Sequence, residues 1–214
     1  MTTTALVRIG SGTATMEGML DMPHGAAGIV LFAHGSGSGR LSPRNNQVAR
    51  VLRDAGIGTL LLDLLTPQED AQYSHRFDIT LLTARLRAAA TWLRAREATS
   101  ALPLGLFGAS TGAAAALQLA ADPALSIAAV VSRGGRPDLA EADALHAVTA
   151  PTLLIVGGAD EPVIALNRQA YAQLGGTKRL DIVPGATHLF EEPGTLDAVA
   201  RLAADWFAGH FAGG

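Results

Sequence analysis

Three side chains have the types and the chain order that can turn a serine hydroxyl into a nucleophile. They are Ser110, in the pentapeptide Gly108-Ala109-Ser110-Thr111-Gly112, then Asp160 and then His188. A serine hydroxyl attacks poorly until a neighbouring base accepts its proton, and histidine suits this task because its ordinary pKa is near neutrality. A carboxylate behind the imidazole holds one tautomer and stabilises the imidazolium. The pattern therefore predicts acyl transfer, with Ser110 as nucleophile, His188 as base and Asp160 as the group that orients it.

The pentapeptide lies where an apolar run at 102–107 meets an alanine-rich run at 113–121. A serine on so sharp a strand-to-helix turn exposes its hydroxyl, and glycines on both sides avoid collisions in the bend. Gly/Ser strings also mark plain turns, so an ordinary turn serine is the alternative. Asp160 and His188 favour the nucleophile, because each follows a short apolar run, as residues at the carboxyl edge of a parallel sheet do.

A fourth segment could stabilise the negative charge of acyl transfer. Residues 27–33 predict a buried strand, and His34-Gly35-Ser36-Gly37-Ser38-Gly39 follows it. One N–H group after this strand and one after the nucleophile can donate to an oxyanion, and we expect these to be the amides of Ser36 and Thr111. His34 is expected to order the loop. The glycines match neither Gly-x-Gly-x-x-Gly nor a P-loop, so nucleotide binding is not expected.

The carboxylate partner of His188 has two rivals. Glu161 is adjacent to Asp160, and either could instead cap the helix that follows. Asp63 also ends a predicted strand. We expect Asp160, because it has the place in the chain order Ser, Asp, His that such triads show. A loop histidine without a catalytic partner is the alternative for His188.

Three arginines are expected near the same edge of the sheet. Arg133 and Arg136 follow a predicted strand, and Arg44 follows the glycine-rich loop. A guanidinium can bind a carboxylate through two hydrogen bonds, and Arg44 and Arg133 are our candidates for substrate binding. The alternative is an ion pair with Asp138 or Asp160.

The order strand-His-Gly, Gly-x-Ser-x-Gly, Gly-Gly-x-Asp and Gly-x-x-His, from about Ala27 to the C-terminus, resembles the α/β-hydrolase family. The stretches 34–50, 108–119 and 182–193 resemble small, lidless members related to dienelactone hydrolase. This resemblance implies a hydrolase fold without a cap domain. Dienelactone hydrolases proper use a cysteine nucleophile, whereas this chain contains no cysteine and has Ser110 at that place.

Hydrophobic periodicity predicts alternating strands and helices, and therefore an α/β fold with a mostly parallel central sheet covered by helices on both faces. The predicted strands are 5–9, 13–19, 27–33, 58–62, 102–107, 127–131, 152–156 and 179–183. The predicted helices are 45–55, 78–98, 111–121, 137–146, 163–174 and 195–210. We expect one domain over residues 1–214, because the segment 132–150 is too short for a separate cap.

Composition limits the classes of partner. The 214 residues are 49% hydrophobic and 16% charged, with a net charge of −3 and arginines that are scattered along the chain. This pattern argues against nucleic acid. No run of about 18 apolar residues is present and the N-terminus does not resemble a signal peptide, so we expect a cytoplasmic protein without membrane contact. No metal-ligand spacing occurs, and neither a metal nor a cofactor is expected.

The leading hypothesis is a serine esterase that cleaves small-molecule carboxylic esters with short or exposed acyl groups through an acyl-enzyme. The same residues would serve a lactone or dienelactone hydrolase, a thioesterase or a perhydrolase. A ligand receptor on the hydrolase fold is a non-enzymatic alternative. Pocket shape depends on loops 36–45, 64–77 and 132–145, so the pattern leaves the acyl group and the oligomeric state open.

Overall fold

The computed structural model describes residues 1–212, with the backbone alone at residue 142. Within this range the strands are β1 (Thr2–Ser11), β2 (Ala14–Pro23), β3 (Ile29–Ala33), β4 (Gly58–Leu62), β5 (Leu104–Ala109), β6 (Ile127–Arg133), β7 (Thr152–Gly157) and β8 (Lys178–Val183). They form one sheet in the order β1-β2-β4-β3-β5-β6-β7-β8. The β1–β2 and β2–β4 pairs are antiparallel, and the pairs from β4 to β8 are parallel.

Helices connect the parallel strands. They are α1 (Pro43–Asp54), α2 (Pro67–Asp70), α3 (Ile79–Arg94), α4 (Glu97–Ser100), α5 (Thr111–Ala120), α6 (Ala142–Ala147), α7 (Glu161–Gln173) and α8 (Thr195–Phe211), with short 3₁₀ helices at Tyr73–Phe77 and Pro137–Leu139. Within the described range, none of these helices combines the length and the apolar character that crossing a bilayer requires.

Two apolar cores lie on opposite faces of the sheet. Successive side chains of a strand point to opposite faces, so in β3 Leu31 packs with Leu86 of α3 in one core and Phe32 packs with Phe207 of α8 in the other. Strands that are buried on both faces have continuous apolar sequences, and all five residues of β3 are buried. The layers of helix, sheet and helix confirm the predicted fold class.

The predicted elements differ from the structure mainly where short helices occur. The helix predicted at 78–98 ends at Arg94. The guanidinium of Arg94 donates to the carbonyls of Ser100, Leu102 and Ser126, and these bonds hold the following segment against the end of the helix. The predicted helix at 137–146 is instead a 3₁₀ turn followed by α6. Between residues 132 and 150 the described chain contains only these two short helices, so no cap domain covers the sheet.

The parallel strands bring their carboxyl ends to one edge of the sheet. Ser110 follows β5, Arg133 ends β6, Asp160 follows β7, and His188 lies in the loop after β8. The glycine-rich loop after β3 reaches the same edge, because β3 pairs with β5 in parallel and Ala33 lies opposite Gly108. The fold therefore gathers the candidate residues without any further movement of the elements.

Candidate active site

Ser110 occupies a strained turn between β5 and α5. Its backbone has φ 51° and ψ −121°, a region that residues with a side chain rarely adopt. The Ser110 N–H donates to the carbonyl of Arg133 at 3.2 Å, and its carbonyl accepts from the N–H groups of Ala113 and Arg136, each at 3.1 Å. Such strain persists where the surroundings over-determine the backbone, and here three hydrogen bonds hold the serine at the tip of the turn.

The glycines of the pentapeptide are required by close packing. A Cβ atom at Gly108 would collide with the backbone of Ala113, and one at Gly112 would collide with the carbonyl of Ala33. The glycine-rich loop is also close, because a Cβ at Gly35 would lie 3.0 Å from Cβ of Ser110. The turn therefore packs directly against the end of β3 and the loop that follows it.

His188 and Asp160 form a hydrogen-bonded pair. The His188 Nδ1–H donates to Asp160 Oδ2 over 2.7 Å, and 37% of the histidine side chain is exposed against 13% for the aspartate. This bond places the proton on Nδ1 and leaves Nε2 as the basic nitrogen. Asp63, the rival in the sequence, is instead ion-paired with Arg40, and Glu161 is the first residue of α7.

The loop that carries His188 is braced by residues that the sequence pattern did not single out. Glu192 accepts hydrogen bonds from Thr187, 2.6 Å from the hydroxyl and 3.1 Å from the N–H. Both bonds lower the pKa of the Glu192 carboxyl, and the bond from the hydroxyl has the larger effect. Phe190 has a positive φ of 56° and a buried ring. The loop is therefore held on both sides of the imidazole.

Ser110 and His188 line the same cavity of about 220 Å³, together with Gly35, Ser36 and Leu189. Among the residues that the structure describes, no hydrogen bond joins the Ser110 hydroxyl to the imidazole. Catalytic hydrogen bonds are often long in the unliganded state and tighten when substrate binds.

The two amides expected to bind an oxyanion belong to the loop after β3 and to the start of α5. Ser36 lines the cavity, and Thr111 is the buried first residue of α5. In the described part of the chain, neither N–H donates a hydrogen bond to another protein group. The first N–H groups of a helix have no intrahelical partner and attract negative charge. Oxyanion binding by Ser36 and Thr111 stays a prediction.

His34 links the glycine-rich loop to the end of β4. The Leu64 N–H donates to Nε2 at 2.9 Å, so the ring proton is on Nδ1, 2.9 Å from the carbonyl of Gly35. Burial lowers the pKa of His34, and the Gly35 carbonyl opposes this effect in part. His34 therefore orders the loop as a neutral imidazole, which is the role expected from the sequence.

The three arginines have different surroundings. Arg136 binds Asp138 through two hydrogen bonds of 2.8 Å, which is the ion-pair alternative. Arg44 pairs with Glu191 at 3.0 Å. Arg133 is buried, and its Nη2–H donates to the side-chain oxygen of Asn45 at 3.1 Å. Arg44 and Arg133 both line the cavity beside Ser110.

A model of the family described as alpha/beta hydrolase domain matches residues 26–203. The chain belongs to this family. A solved dienelactone hydrolase from Anabaena variabilis ATCC 29413 is similar to this chain over 98% of both chains, with 55% identity and a TM-score of 0.94.

More distant structures share the hydrolase fold alone. A serine hydrolase without a lid from Xanthomonas campestris has a TM-score of 0.78 at 22% identity, over 96% of this chain and 94% of its own. The protein Est1E from Butyrivibrio proteoclasticus has a TM-score of 0.81 at 17% identity, over 97% of this chain and 99% of its own. Neither carries a functional argument at this identity.

A curated relative in Mycobacterium tuberculosis (strain H37Rv) is much longer. It is provisionally named phosphoribosyl transferase, and it is 56% identical over 207 residues, which are 97% of this chain and 46% of that protein. The chain thus spans less than half the length of this relative. The name describes the longer protein.

Several residues of the hydrolase cavity were missed by sequence reasoning. Ser38, Ser42 and Asn45 line it beside the expected residues. Ser42 caps α1 and accepts from the N–H of Asn45, and the pair Ser42-Pro43 is a recognisable helix start. That signal could have placed Asn45 in a first helical turn next to the glycine-rich loop. No local signal indicated Glu192.

Proposed function

We propose that this hydrolase cleaves carboxylic esters through an acyl-enzyme on Ser110. The observation that carries the proposal is the 2.7 Å bond between His188 and Asp160 at the cavity that Ser110 lines. In the reaction, His188 Nε2 accepts the hydroxyl proton while the Ser110 oxygen bonds to the acyl carbon. Collapse of the tetrahedral intermediate breaks the ester bond, and His188 protonates the departing alcohol. Water, deprotonated by the same nitrogen, then attacks the acyl-enzyme and releases the acid and Ser110.

The amides of Ser36 and Thr111 are proposed to bind the oxyanion of both tetrahedral intermediates. Donors of this kind contribute about 3 kcal/mol each to the stability of the transition state. Their free N–H groups support this role, as do the place of Ser36 in the wall of the cavity and that of Thr111 directly after the nucleophile. The close approach of Gly35 to the nucleophile brings the loop within reach of the reacting carbonyl.

A small, uncapped cavity supports short or exposed acyl groups as the preferred substrates. Its volume of about 220 Å³ suits a small group.

We also propose that residues 1–214 act as one domain, because the strands from Thr2 to Val183 form one sheet and α8 packs on it.

Lactone hydrolysis is the second candidate, and the 55% identity to the Anabaena dienelactone hydrolase favours it. A lactone is a cyclic ester, so the same nucleophile, base and oxyanion donors would open it. The M. tuberculosis relative does not lead us to propose phosphoribosyl transfer, because the similarity covers 46% of that protein and lies in a hydrolase domain here.

Replacing the nucleophile tests the reaction. Ser110→Ala should lower kcat on p-nitrophenyl acetate by about 10⁴-fold or more and abolish labelling by a fluorophosphonate, whereas Ser100→Ala, an exposed serine of α4, should match the wild type. Turnover retained by Ser110→Ala would remove this serine from the mechanism. A wild-type protein that binds ligands but does not label would be a receptor. Rates on esters, lactones and thioesters of graded acyl length then separate the candidate substrates.

A further inference from the structure

Arg133 is a buried cation without an anionic partner. Its exposed fraction is 6%, and in residues 1–212 no carboxylate forms an ion pair with it. Its neighbours are neutral: the amide of Asn45 accepts one N–H, and the ring of Phe190 lies 5.9 Å from the guanidinium carbon. The Nε–H is buried without any hydrogen-bond partner in the described chain. Buried charges in proteins are normally paired with an opposite charge. The described residues supply no such partner for this guanidinium, so we expect an anion from outside the protein.

A second guanidinium faces the same cavity. Burial and, to a smaller extent, the nearby Arg44 lower the pKa of Arg133 to about 10, so Arg133 remains charged at neutral pH. The partner of Arg44 is Glu191, whose side chain is 64% exposed. Exposed ion pairs are weak, so Arg44 can turn toward an anion in the cavity. The two positive charges repel each other in the wall of the cavity. An anion bound there would be attracted to both and would offset this repulsion.

The remaining walls of the cavity add neutral donors. Ser36, Ser38 and Ser42, each with a hydroxyl that can donate, line it with the two arginines. Ser42 caps α1, a helix of 12 residues without an acidic residue in its first turn. The start of α1 therefore adds its partial positive charge to that of the guanidinium groups.

We propose that Arg133 and Arg44 bind a phosphate group of the ester substrate, so that this hydrolase acts on phosphorylated esters. The proposal rests on the proposed function, since it names the substrate class of the same site. Two positive charges at one cavity match a phosphate monoester, which has three terminal oxygens and close to two negative charges at neutral pH, better than a carboxylate with two oxygens and one charge. Because Ser110 lines the same cavity, the phosphate lies on a part of the substrate close to the scissile ester.

Binding can be tested without turnover, in the Ser110→Ala protein. Calorimetry with inorganic phosphate should show binding that Arg133→Gln and Arg44→Gln each weaken by about tenfold or more. Arg179→Gln, which removes an exposed arginine of β8 that is paired with Asp181, is the matched control and should bind like the parent. Equal phosphate binding in all four proteins, or none in the parent, would overturn the proposal. Arg133→Lys replaces Arg133→Gln if the latter melts early, and it should also bind more weakly because lysine lacks the forked donors.

Turnover then distinguishes phosphate from other groups. The matched substrates are acetyl esters of glycerol phosphate, glycerate and glycerol, and p-nitrophenyl esters whose acyl chain ends in phosphonate, carboxylate or methyl. In at least one set, wild-type kcat/KM should be highest for the phosphorus compound, by about tenfold, and Arg133→Gln should remove the preference. A preference for carboxylate or for the neutral ester in both sets would contradict the phosphate assignment. Phosphate binding in a protein that hydrolyses none of these esters would instead refute the esterase reaction and keep the anion site.

Discussion

At the scale of single residues, hydrogen bonds restrain both Ser110 and His188 in the candidate site. Ser110 has a backbone conformation that costs on the order of 1–3 kcal/mol in general, and three backbone hydrogen bonds keep it there. His188 is held in one tautomer by Asp160. The first restraint fixes the backbone of Ser110 and the second fixes the ring of His188, so substitutions that preserve size and alter hydrogen bonding are the informative ones.

The first prediction concerns the partner of His188. Asp160→Asn should lower kcat by about 10⁴-fold on p-nitrophenyl acetate, because the amide favours the wrong imidazole tautomer and cannot stabilise the cation. The neighbouring substitution Glu161→Gln should have a much smaller effect, since Glu161 begins α7 and Asp160 already occupies Nδ1. Steady-state kinetics decide the matter, and equal losses in the two variants would contradict the role of Asp160.

The second prediction concerns pH. Burial lowers the pKa of His34 in the folded protein from its ordinary value of 6.5, while the Gly35 carbonyl, Asp63 and Asp70 oppose the shift. Below pH 6.5 the unfolded chain binds this proton more readily than the folded protein. The free energy of unfolding should therefore fall as the pH drops below 6.5, by at most about 1.4 kcal/mol per pH unit from this group.

Urea unfolding at several pH values measures this effect. His34→Asn retains a donor for the Gly35 carbonyl but does not titrate, so its stability should depend less steeply on pH between about 6.5 and 5. An identical slope in the variant and the wild type would show that His34 is not responsible.

At the scale of elements, the site is made by the contact between the β5–α5 turn and the end of β3. The pentapeptide can bend sharply only because Gly108 and Gly112 leave room for neighbouring backbone. The same contact brings the glycine-rich loop to Ser110. Catalytic geometry and local packing therefore cannot be changed separately at this turn.

The third prediction tests that contact. Gly112→Ala should destabilise the protein strongly and abolish activity, because its Cβ would meet the carbonyls of Ala33 and His34, which are backbone and cannot turn aside. Gly209→Ala, within α8, meets no atom within 4 Å and should raise the free energy of unfolding by up to about 1 kcal/mol. Thermal and urea melts compare the two variants. A stable, active Gly112→Ala protein would be inconsistent with the packing described.

At the scale of the whole molecule, two apolar layers pack the helices against the two faces of the sheet. Phe207 of α8 is fully buried in the layer that also contains Phe32 and Phe107. A Cβ at Gly105 would collide with its ring, so helix and strand are in close contact there. The position of the site therefore depends on packing far from the catalytic residues.

The fourth prediction measures that dependence. Phe207→Ala should lower the free energy of unfolding by about 3–5 kcal/mol, through lost burial and the cavity left behind. Leu6→Ala, at a side chain that is 56% exposed on β1, should cost far less. Urea unfolding gives both values, and similar losses would show that the α8 layer does not carry the stability assigned to it.

The sequence by itself determined the fold class and most of the elements, and it suggested the chemistry that we propose. Alternation and apolar runs predict strands and helices because those signals are local, and the turn at Ser110 is recognisable because only small residues tolerate it. The chain order of Ser110, Asp160 and His188 likewise needed no coordinates. The short helices escaped prediction although Thr66 and Glu69 form a capping box at the start of α2, because a four-residue helix leaves little periodicity to detect.

Only the tertiary structure decided which groups meet. Asp160 and Asp63 both follow strands. The sheet order β3-β5-β6-β7-β8 places Asp160 beside His188, whereas Asp63 forms an ion pair with Arg40. The surroundings of Arg133 were equally invisible, because Asn45 lies 88 residues away in the chain. Pairings across such distances depend on strand order, register and helix packing, which no local pattern of residue types encodes.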